Sequence, residues 1–424
     1  MGTGLISDVG RSAPSAAVLE NRTTARIALV LPLTPVSFAL VAGLPLIRRT
    51  AACALRSAFD RVVVLGGSSI ERARVLLAAD SRTRDDRIEV VARQPRLAPE
   101  DDVTVIPADC LLTAATLEGA LAAPADGPLL LADEEGFGIA RCPAAALSDV
   151  DLGSATNDWT ALSEILRRRG ALHIPLDGAV CVRIDGAESV TTGESALCAE
   201  LRARSQPTDG PLARFDRRIS CRISRWIVRH TTLRPNDITT IGTIVGLAAA
   251  WVLSRGTYAA GVAGTALFLS AALIDGCDGE VARLTFRESP FGKAFDVATD
   301  NLVHAAVFVG LALGMRRRDP SGHWGMLMLL LLIGFALAGA VSYYFLVRQT
   351  AWRTDRPAQI TARARLRHRL LKTLESLMNR DFAYLLLVLA VAGRLRWFFW
   401  GALVGSYVFA ALFIWVYGWR EPTR

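Results

Sequence analysis

Apolar positions along this 424-residue chain follow two patterns that change over near residue 210. Before that point the chain shows short, near-continuous apolar runs. Residues 27–32 (IALVLP), 61–66 (RVVVLG), 88–92, 103–109 and 128–133 read as strands. Helical periodicity appears between them, at 46–59, 112–122 and 159–169. Strands apolar on both faces, alternating with helices, predict a parallel sheet covered on both sides. This α/β domain, Rossmann-like in pattern, is expected over 25–205. Residues 1–24 are small and polar and are expected to be a flexible tail.

Beyond a polar link at 205–211 the pattern turns helical. Residues 212–231 predict an interfacial amphipathic helix. Ile219, Ile223, Trp226, Ile227 and Val228 fall mostly on one face, and Arg217, Arg218, Arg222, Arg225 and Arg229 on the rest. A solvated helix linking two domains is the other reading of this stretch. Apolar spans follow at 238–253, 258–274, 302–315, 326–346, 382–393 and 397–419. Crossing a bilayer takes about 20 residues. The shorter third and fifth spans can be lengthened by polar turns that face a bundle interior. Six transmembrane helices are expected, in a membrane domain over 232–424.

Charge sharpens the division. The net charge of +8 averages two unlike halves. Residues 1–213 hold 21 Arg and no Lys against 27 acids, a net of −6. Residues 214–424 hold 27 basic residues against 13 acids, a net of +14. In an apolar half, such a surplus marks the cytoplasmic face of a membrane rather than nucleic-acid binding. With both termini inside, the inner segments carry 20 Lys and Arg and the outer loops 6, although Arg316–Arg318 opposes the trend. This predicts a multi-pass protein of the cytoplasmic membrane whose first domain stays in the cytoplasm. The N-terminus lacks the basic-then-apolar pattern of a signal peptide. Seven cysteines, an odd number without a C-x-x-C, argue against a disulfide framework or zinc ribbon.

The candidate chemistry lies at 274–302, IDGCDGEVARLTFRESPFGKAFDVATDNL. Asp275 and Asp278 are three apart, and Asp296 and Asp300 four apart, so each pair shares a helical face. Four carboxylates beside membrane helices need a neutralising cation. Oxygen ligands select a hard ion, Mg²⁺ or Mn²⁺, and four aspartates suit two ions. Gly276, Gly279, Ala282 and Gly292 leave room for a close-approaching helix or flat ligand. Arg283 stands one and a half turns beyond Asp278, placed to reach a phosphate. Acids, metal and arginine together suit phosphoryl transfer.

The spacing D-x2-D-G-x2-A-R-x8-G-x3-D-x3-D, filled by Asp275, Asp278, Gly279, Ala282, Arg283, Gly292, Asp296 and Asp300, resembles the CDP-alcohol phosphatidyltransferase family. Arg234-Pro235-Asn236-Asp237-Ile238-Thr239 is similar to that family's T-P-N-x-x-T entry to its first membrane helix, with Arg234 where Thr is common. The resemblance implies an all-α six-helix membrane domain with a polar cavity open to the cytoplasm. It implies a reaction in which an acceptor hydroxyl displaces CMP from a CDP-linked donor to form a phosphodiester. Asp275, Asp278 and Asp296, with Asp300, would hold the metals, and Asp300 would be the general base. Gly279, Ala282, Arg283, Gly292, Asn236 and Thr239 would line the CDP site. Homodimers are usual in such a family. Asn301 stands where Arg or His is common, which leaves the acceptor open: a polar alcohol, an inositol phosphate or a lipid. Arg287 and Lys293 are acceptor-site candidates, followed by Arg348, Arg363, Arg365 and Arg380. His304, one turn after Asp300, is expected to be a packed residue.

A narrower resemblance covers most of the chain. An α/β domain, then Asp209-Gly210-x3-Arg214, then the basic helix and membrane domain, is similar to the bifunctional inositol-phosphate cytidylyltransferase/di-myo-inositol-phosphate-phosphate synthases. It implies that the first domain is nucleotidyltransferase-like. An active domain of that kind needs a glycine-rich loop after its first strand, with basic residues to hold a triphosphate. Here residues 31–38 (LPLTPVSF) carry neither glycine nor charge. The domain is therefore expected to be degenerate and inactive, with Asp109 as the trace of a metal site. Two rival readings are a non-catalytic membrane scaffold with a partner-binding soluble domain, and an enzyme active in both halves. A scaffold has no need of all four aspartates. The missing loop counts against a second activity.

Overall fold

The structure, a computed structural model, describes residues 24–418 except 94, 125–126, 153–158, 177, 206–210 and 353–380. The expected tail, Asp209, Gly210, Arg363, Arg365 and Arg380 lie outside the described residues, as does the Arg348 side chain. The chain divides into two compact units. One is Met1–Leu201 with Arg283–Arg287, and the other is Arg202–Ala282 with Glu288–Arg424.

The first unit contains strands β1 (Arg26–Val30), β2 (Leu40–Val41), β3 (Leu44–Pro45), β4 (Arg61–Leu65), β5 (Ile88–Val91) and β6 (Asp102–Ile106). Strands β7 (Cys110–Leu112), β8 (Leu129–Ala132), β9 (Gly138–Pro143), β10 (Leu172–Pro175) and β11 (Cys181–Arg183) follow. Its helices are α1 (Leu46–Arg56), α2 (Ile70–Ala78), α3 (Ala114–Ala122), α4 (Trp159–Arg168) and α5 (Ala187–Ser205, whose last four residues belong to the second unit). Seven strands form one sheet in the order β10-β8-β9-β6-β1-β4-β5. Central β1 carries Ile27, Ala28, Leu29 and Val30, all fully buried. Its near-continuous apolar run is what a strand covered on both faces requires.

The sheet is mixed, where the apolar runs predicted a parallel one. β9 pairs antiparallel with both β6 and β8. The cause is the short connection after β8. Asp133 N–H donates to Phe137 O at 2.9 Å, Phe137 N–H donates to Asp133 Oδ1 at 2.9 Å, and Gly136 adopts φ +81°. Such a tight turn can only return the chain antiparallel, since parallel neighbours need a long crossover. Arg283–Arg287 belongs to this unit. Buried Arg49 donates to Val41 O at 3.1 Å and to Leu284 O at 2.7 Å. Phe286, at φ +55°, lies beneath the guanidinium groups of Arg49 and Arg56, 5.3 and 4.7 Å from its ring centre.

The second unit is helical. It consists of α6 (Pro211–His230), α7 (Pro235–Leu253), α8 (Tyr258–Leu284, whose last two residues belong to the first unit), α9 (Pro290–Arg318), α10 (Trp324–Trp352), α11 (Asp381–Val391) and α12 (Leu395–Gly418). Among the described residues five helices are long and apolar enough to cross a membrane: α7, α8, α9, α10 and α12. At 11 residues, α11 is too short by itself, and residues 353–380 before it are outside the description. Small residues bring α7 against α9. A Cβ on Gly310 would stand 2.3 Å from Ala250 O, and one on Gly314 2.5 Å from Leu253 O. Only glycine admits backbones this close. The contact matters for chemistry because α7 and α9 both carry candidate site residues.

Candidate functional site

Three of the four expected aspartates converge. Asp275 and Asp278, near the C-terminal end of α8, meet Asp296, in the second turn of α9. Each offers a carboxylate oxygen within 4.8 Å of the others. Asp278 is buried, and Asp275 and Asp296 are half-buried. Asp300 stands one turn beyond Asp296 on α9, half-buried, and is not one of the three.

Local sequence explains the placement. The i, i+3 spacing on α8 sets Asp275 and Asp278 on one face. Ser289 caps α9, its Oγ accepting from Gly292 N–H at 2.9 Å, and Pro290 occupies the first turn, where a missing N–H costs nothing. Asp296 therefore projects from near the positive end of the α9 dipole. On α7, Thr239 is buried and its hydroxyl donates to Asp278 Oδ2. Asn236 lies one turn earlier, and a Cβ on Gly292 would come within 3.3 Å of its Oδ1. The structure thus gathers Asn236, Thr239 and Gly292 around Asp278 and Asp296.

The electrostatics call for a cation. Asp296 Oδ1 is buried and has no hydrogen-bond partner among the described residues. An unpaired buried carboxylate oxygen beside two further carboxylates is strongly unfavourable unless a positive charge offsets it. Three carboxylate oxygens from two helices, all within 4.8 Å of one another, could hold a metal ion.

The remaining expected residues are scattered. Gly279 and Ala282 are half-buried on α8. Arg283, Arg287 and Lys293 are exposed. Asn301 Nδ2 donates to Val297 O at 2.7 Å, a bond back along its own helix. His304 packs among Phe268, Phe335 and Phe382, with ring centres 5.8, 6.3 and 5.1 Å away, as a packed residue should.

In the first unit, residues 31–38 fold inward. Leu31, Leu33, Ser37 and Phe38 are buried, Thr34 and Ser37 bond to each other, and Arg72 covers the Phe38 ring at 4.1 Å. Asp109 Oδ2 pairs with Arg183 Nε at 3.0 Å.

Pattern reading did not single out Glu280. It is buried on α8, two residues past Asp278, and both its oxygens are occupied. Ser220 donates to Oε1 at 2.6 Å and Ser224 to Oε2 at 2.7 Å. One turn before Ser220 on α6, Asp216 accepts from the Tyr384 hydroxyl of α11. The buried face of α6 thus includes Asp216, Ser220, Cys221 and Ser224 beside Ile227 and Val228, while Phe215 and Trp226 are more than half exposed. The available signal was a third acid on α8, two residues past Asp278, and a D-x3-S-x3-S stripe on α6.

Residues 232–415 match the family model described as CDP-alcohol phosphatidyltransferase. Curated relatives carry the name bifunctional IPC transferase and DIPP synthase. That of Rubrobacter xylanophilus is 29% identical over 168 residues, covering 39% of this chain and 37% of the relative. That of Thermococcus kodakarensis is 29% identical over 194 residues, 45% of this chain and 41% of the relative. The Archaeoglobus fulgidus protein is 32% identical over 143 residues, 34% and 28% respectively. The chain spans less than half the length of each of these relatives. Among solved structures, the phosphatidylinositol phosphate synthase PgsA1 of Mycobacterium tuberculosis with CDP-DAG bound is 23% identical. It covers 47% of this chain and 89% of its own, at a TM-score of 0.29. At that score the likeness is too loose to bear on the fold of this chain.

Proposed function

We propose that this chain, which carries a CDP-alcohol phosphatidyltransferase domain over residues 232–415, is a membrane enzyme that transfers a substituted phosphate from a CDP-linked donor to an acceptor hydroxyl, releasing CMP. The observation that carries this reading is the convergence of Asp275, Asp278 and Asp296 around a buried, unpartnered carboxylate oxygen. These three residues, with Asp300 beside them, would hold one or two Mg²⁺ or Mn²⁺ ions. Bound there, such ions neutralise a diphosphate and stabilise the departing CMP oxyanion. Thr239 fixes the orientation of Asp278 through its hydroxyl. Asn236 and the close-packed Gly292 shape one wall of the nucleotide site, and the motif assigns Gly279, Ala282 and Arg283 to the same nucleotide. Asp300, one turn from Asp296, takes the proton of the acceptor hydroxyl as it attacks phosphorus.

The acceptor is read as an inositol phosphate or another polar alcohol, or a lipid hydroxyl, with Arg287 and Lys293 as the candidates for an acceptor phosphate. Six membrane helices, an active site and first domain facing the cytoplasm, and a homodimer complete the reading. The exposed stripe of Phe215 and Trp226 on α6 supports contact with lipid headgroups. The first unit is read as a nucleotidyltransferase-like fold without activity, because its β1 loop is filled by its own side chains and Asp109 is engaged by Arg183.

The test is CMP release by the purified full-length protein over a panel of CDP-donors and acceptors. Mg²⁺-dependent release that chelation abolishes is expected; no release with any pair would sink the proposal. An Asp278→Asn variant supplied with CTP and inositol phosphate is expected to release no pyrophosphate. Pyrophosphate release there would restore the first unit as a second enzyme.

A further inference from the structure

The polar contact between α6 and α8 lies directly behind the aspartate cluster. Successive residues of an α-helix are rotated by about 100°, so Glu280 points about 200° away from Asp278. Helix α8 is therefore gripped on opposite sides. Thr239 of α7 holds Asp278 on one side, and Ser220 and Ser224 of α6 hold Glu280 on the other. Between them, Gly276 and Gly279 present no side chain that could resist rotation of the helix about its axis. Cys277 also meets α6, its thiol 3.7 Å from Ser220 O.

A buried carboxylate with a hydroxyl on each oxygen is an orientation-specific device. Hydrogen bonds of 2.6 and 2.7 Å persist only within a narrow range of donor directions, whereas apolar packing tolerates sliding. We propose that Glu280 is a positioning residue: by accepting from Ser220 and Ser224 it fixes the rotation of α8, so that Asp275 and Asp278 face Asp296. The inference rests on the reading of the three aspartates as a divalent-cation site. It gives α6 a task beyond joining two domains or lying among headgroups, since its small polar face sets the geometry of the metal ligands.

The experiment is Mn²⁺ binding to the purified full-length protein, read by electron paramagnetic resonance, alongside thermal unfolding. Glu280→Leu is expected to weaken Mn²⁺ binding at least tenfold. Ser220→Ala with Ser224→Ala keeps the carboxylate and removes both donors, and is expected to weaken binding equally. Glu280→Gln can still bond both hydroxyls, accepting through its carbonyl and donating through its amide, and is expected to bind within threefold of wild type. The triple variant Glu280→Leu, Ser220→Ala, Ser224→Ala leaves no buried polar group unpaired, so it reports on binding if the simpler variants fail to fold. It is expected to bind as weakly as Glu280→Leu. Equal weakening by Gln and Leu would show that charge, not orientation, matters and would overturn the proposal. So would lower unfolding temperatures with unchanged Mn²⁺ binding. Absence of Mn²⁺ binding to wild type would instead remove the cation-site reading itself.

Discussion

Two places in this chain hold acidic groups at the ends of regular elements, and what those groups are paired with differs. At the end of β1, where open α/β sheets receive phosphates, Leu33 and Phe38 turn into the core and Thr34 bonds Ser37. Asp109, near the same edge, is engaged by Arg183. Between α8 and α9 three carboxylates face one another, and Asp296 Oδ1 has no partner among the described residues. The first unit holds about twice as many acids as the second, yet the site lies in the second. What an acid is paired with, rather than how many acids there are, separates an engaged carboxylate from one that could hold a metal ion.

The comparison is broken most directly by neutralising one acid in each place. Asp278→Asn or Asp296→Asn is expected to lower CMP release by at least about 10⁴-fold, because the metal loses a ligand and the diphosphate its counter-charge. Asp109→Asn is expected to leave CMP release within about twofold, since it loses only a partly exposed ion pair. A comparable loss from Asp109→Asn would mean that the first unit participates in the chemistry. Unfolding temperature in the absence of metal serves as the control. It should rise or stay level in the cluster variants, where repulsion among like charges is relieved.

A finer cut separates binding from proton transfer within the second unit. Asp300→Asn is expected to reduce kcat about 10²- to 10⁴-fold, the usual contribution of a general base. Mn²⁺ binding should fall less than in Asp278→Asn or Asp296→Asn, because Asp300 is not one of the three carboxylates that converge within 4.8 Å. Turnover that survives the substitution would move the base elsewhere. A matching loss of Mn²⁺ affinity would make Asp300 a ligand first.

Most of the first unit could be read from periodicity, because β1, β4 and β6 are buried on both faces and their apolar runs announce it. The Asp275–Asp278 pair was legible for a similar reason: its i, i+3 spacing is local, whereas its meeting with Asp296 is made by packing of α8 against α9. What escaped was long-range. β9 lies antiparallel because of a hairpin at Asp133–Phe137, a turn without an Asn-Gly type signature. Helices α2 and α5 were missed because their faces are only partly apolar. The amphipathic reading of α6 assigned Trp226 to the same face as Val228, whereas Trp226 is exposed and the buried stripe runs through Asp216, Ser220 and Ser224. Those residues look like a solvated face until Glu280 and Tyr384, 60 and 168 residues away, are brought to them.

The smallest expected effect tests whether charge pairing in the first unit is structural, as the comparison requires. Asp80 sits between Arg82, which donates from Nε at 2.7 Å, and Arg48, whose Nη1 is 3.0 Å away. The hydrogen bond from Arg82, chiefly, holds the Asp80 carboxyl at about 2, below its ordinary 3.8. A carboxylate whose pKa is depressed on folding adds stability above its unfolded pKa and loses it as pH falls through the folded one. Asp80→Asn should therefore be less stable than wild type at pH 6, by about 1 kcal/mol once solvent screening is allowed for. The gap should close between about pH 4 and pH 2, where wild-type Asp80 itself takes up a proton. Denaturant unfolding of the full-length pair at pH 6 and pH 2.5 measures it. A gap that is the same at both values would show that packing around Asp80, not its charge, carries the effect. CMP release at pH 7 should be unchanged in the variant, because the ion pair supports the first unit's fold and has no part in the second unit's chemistry.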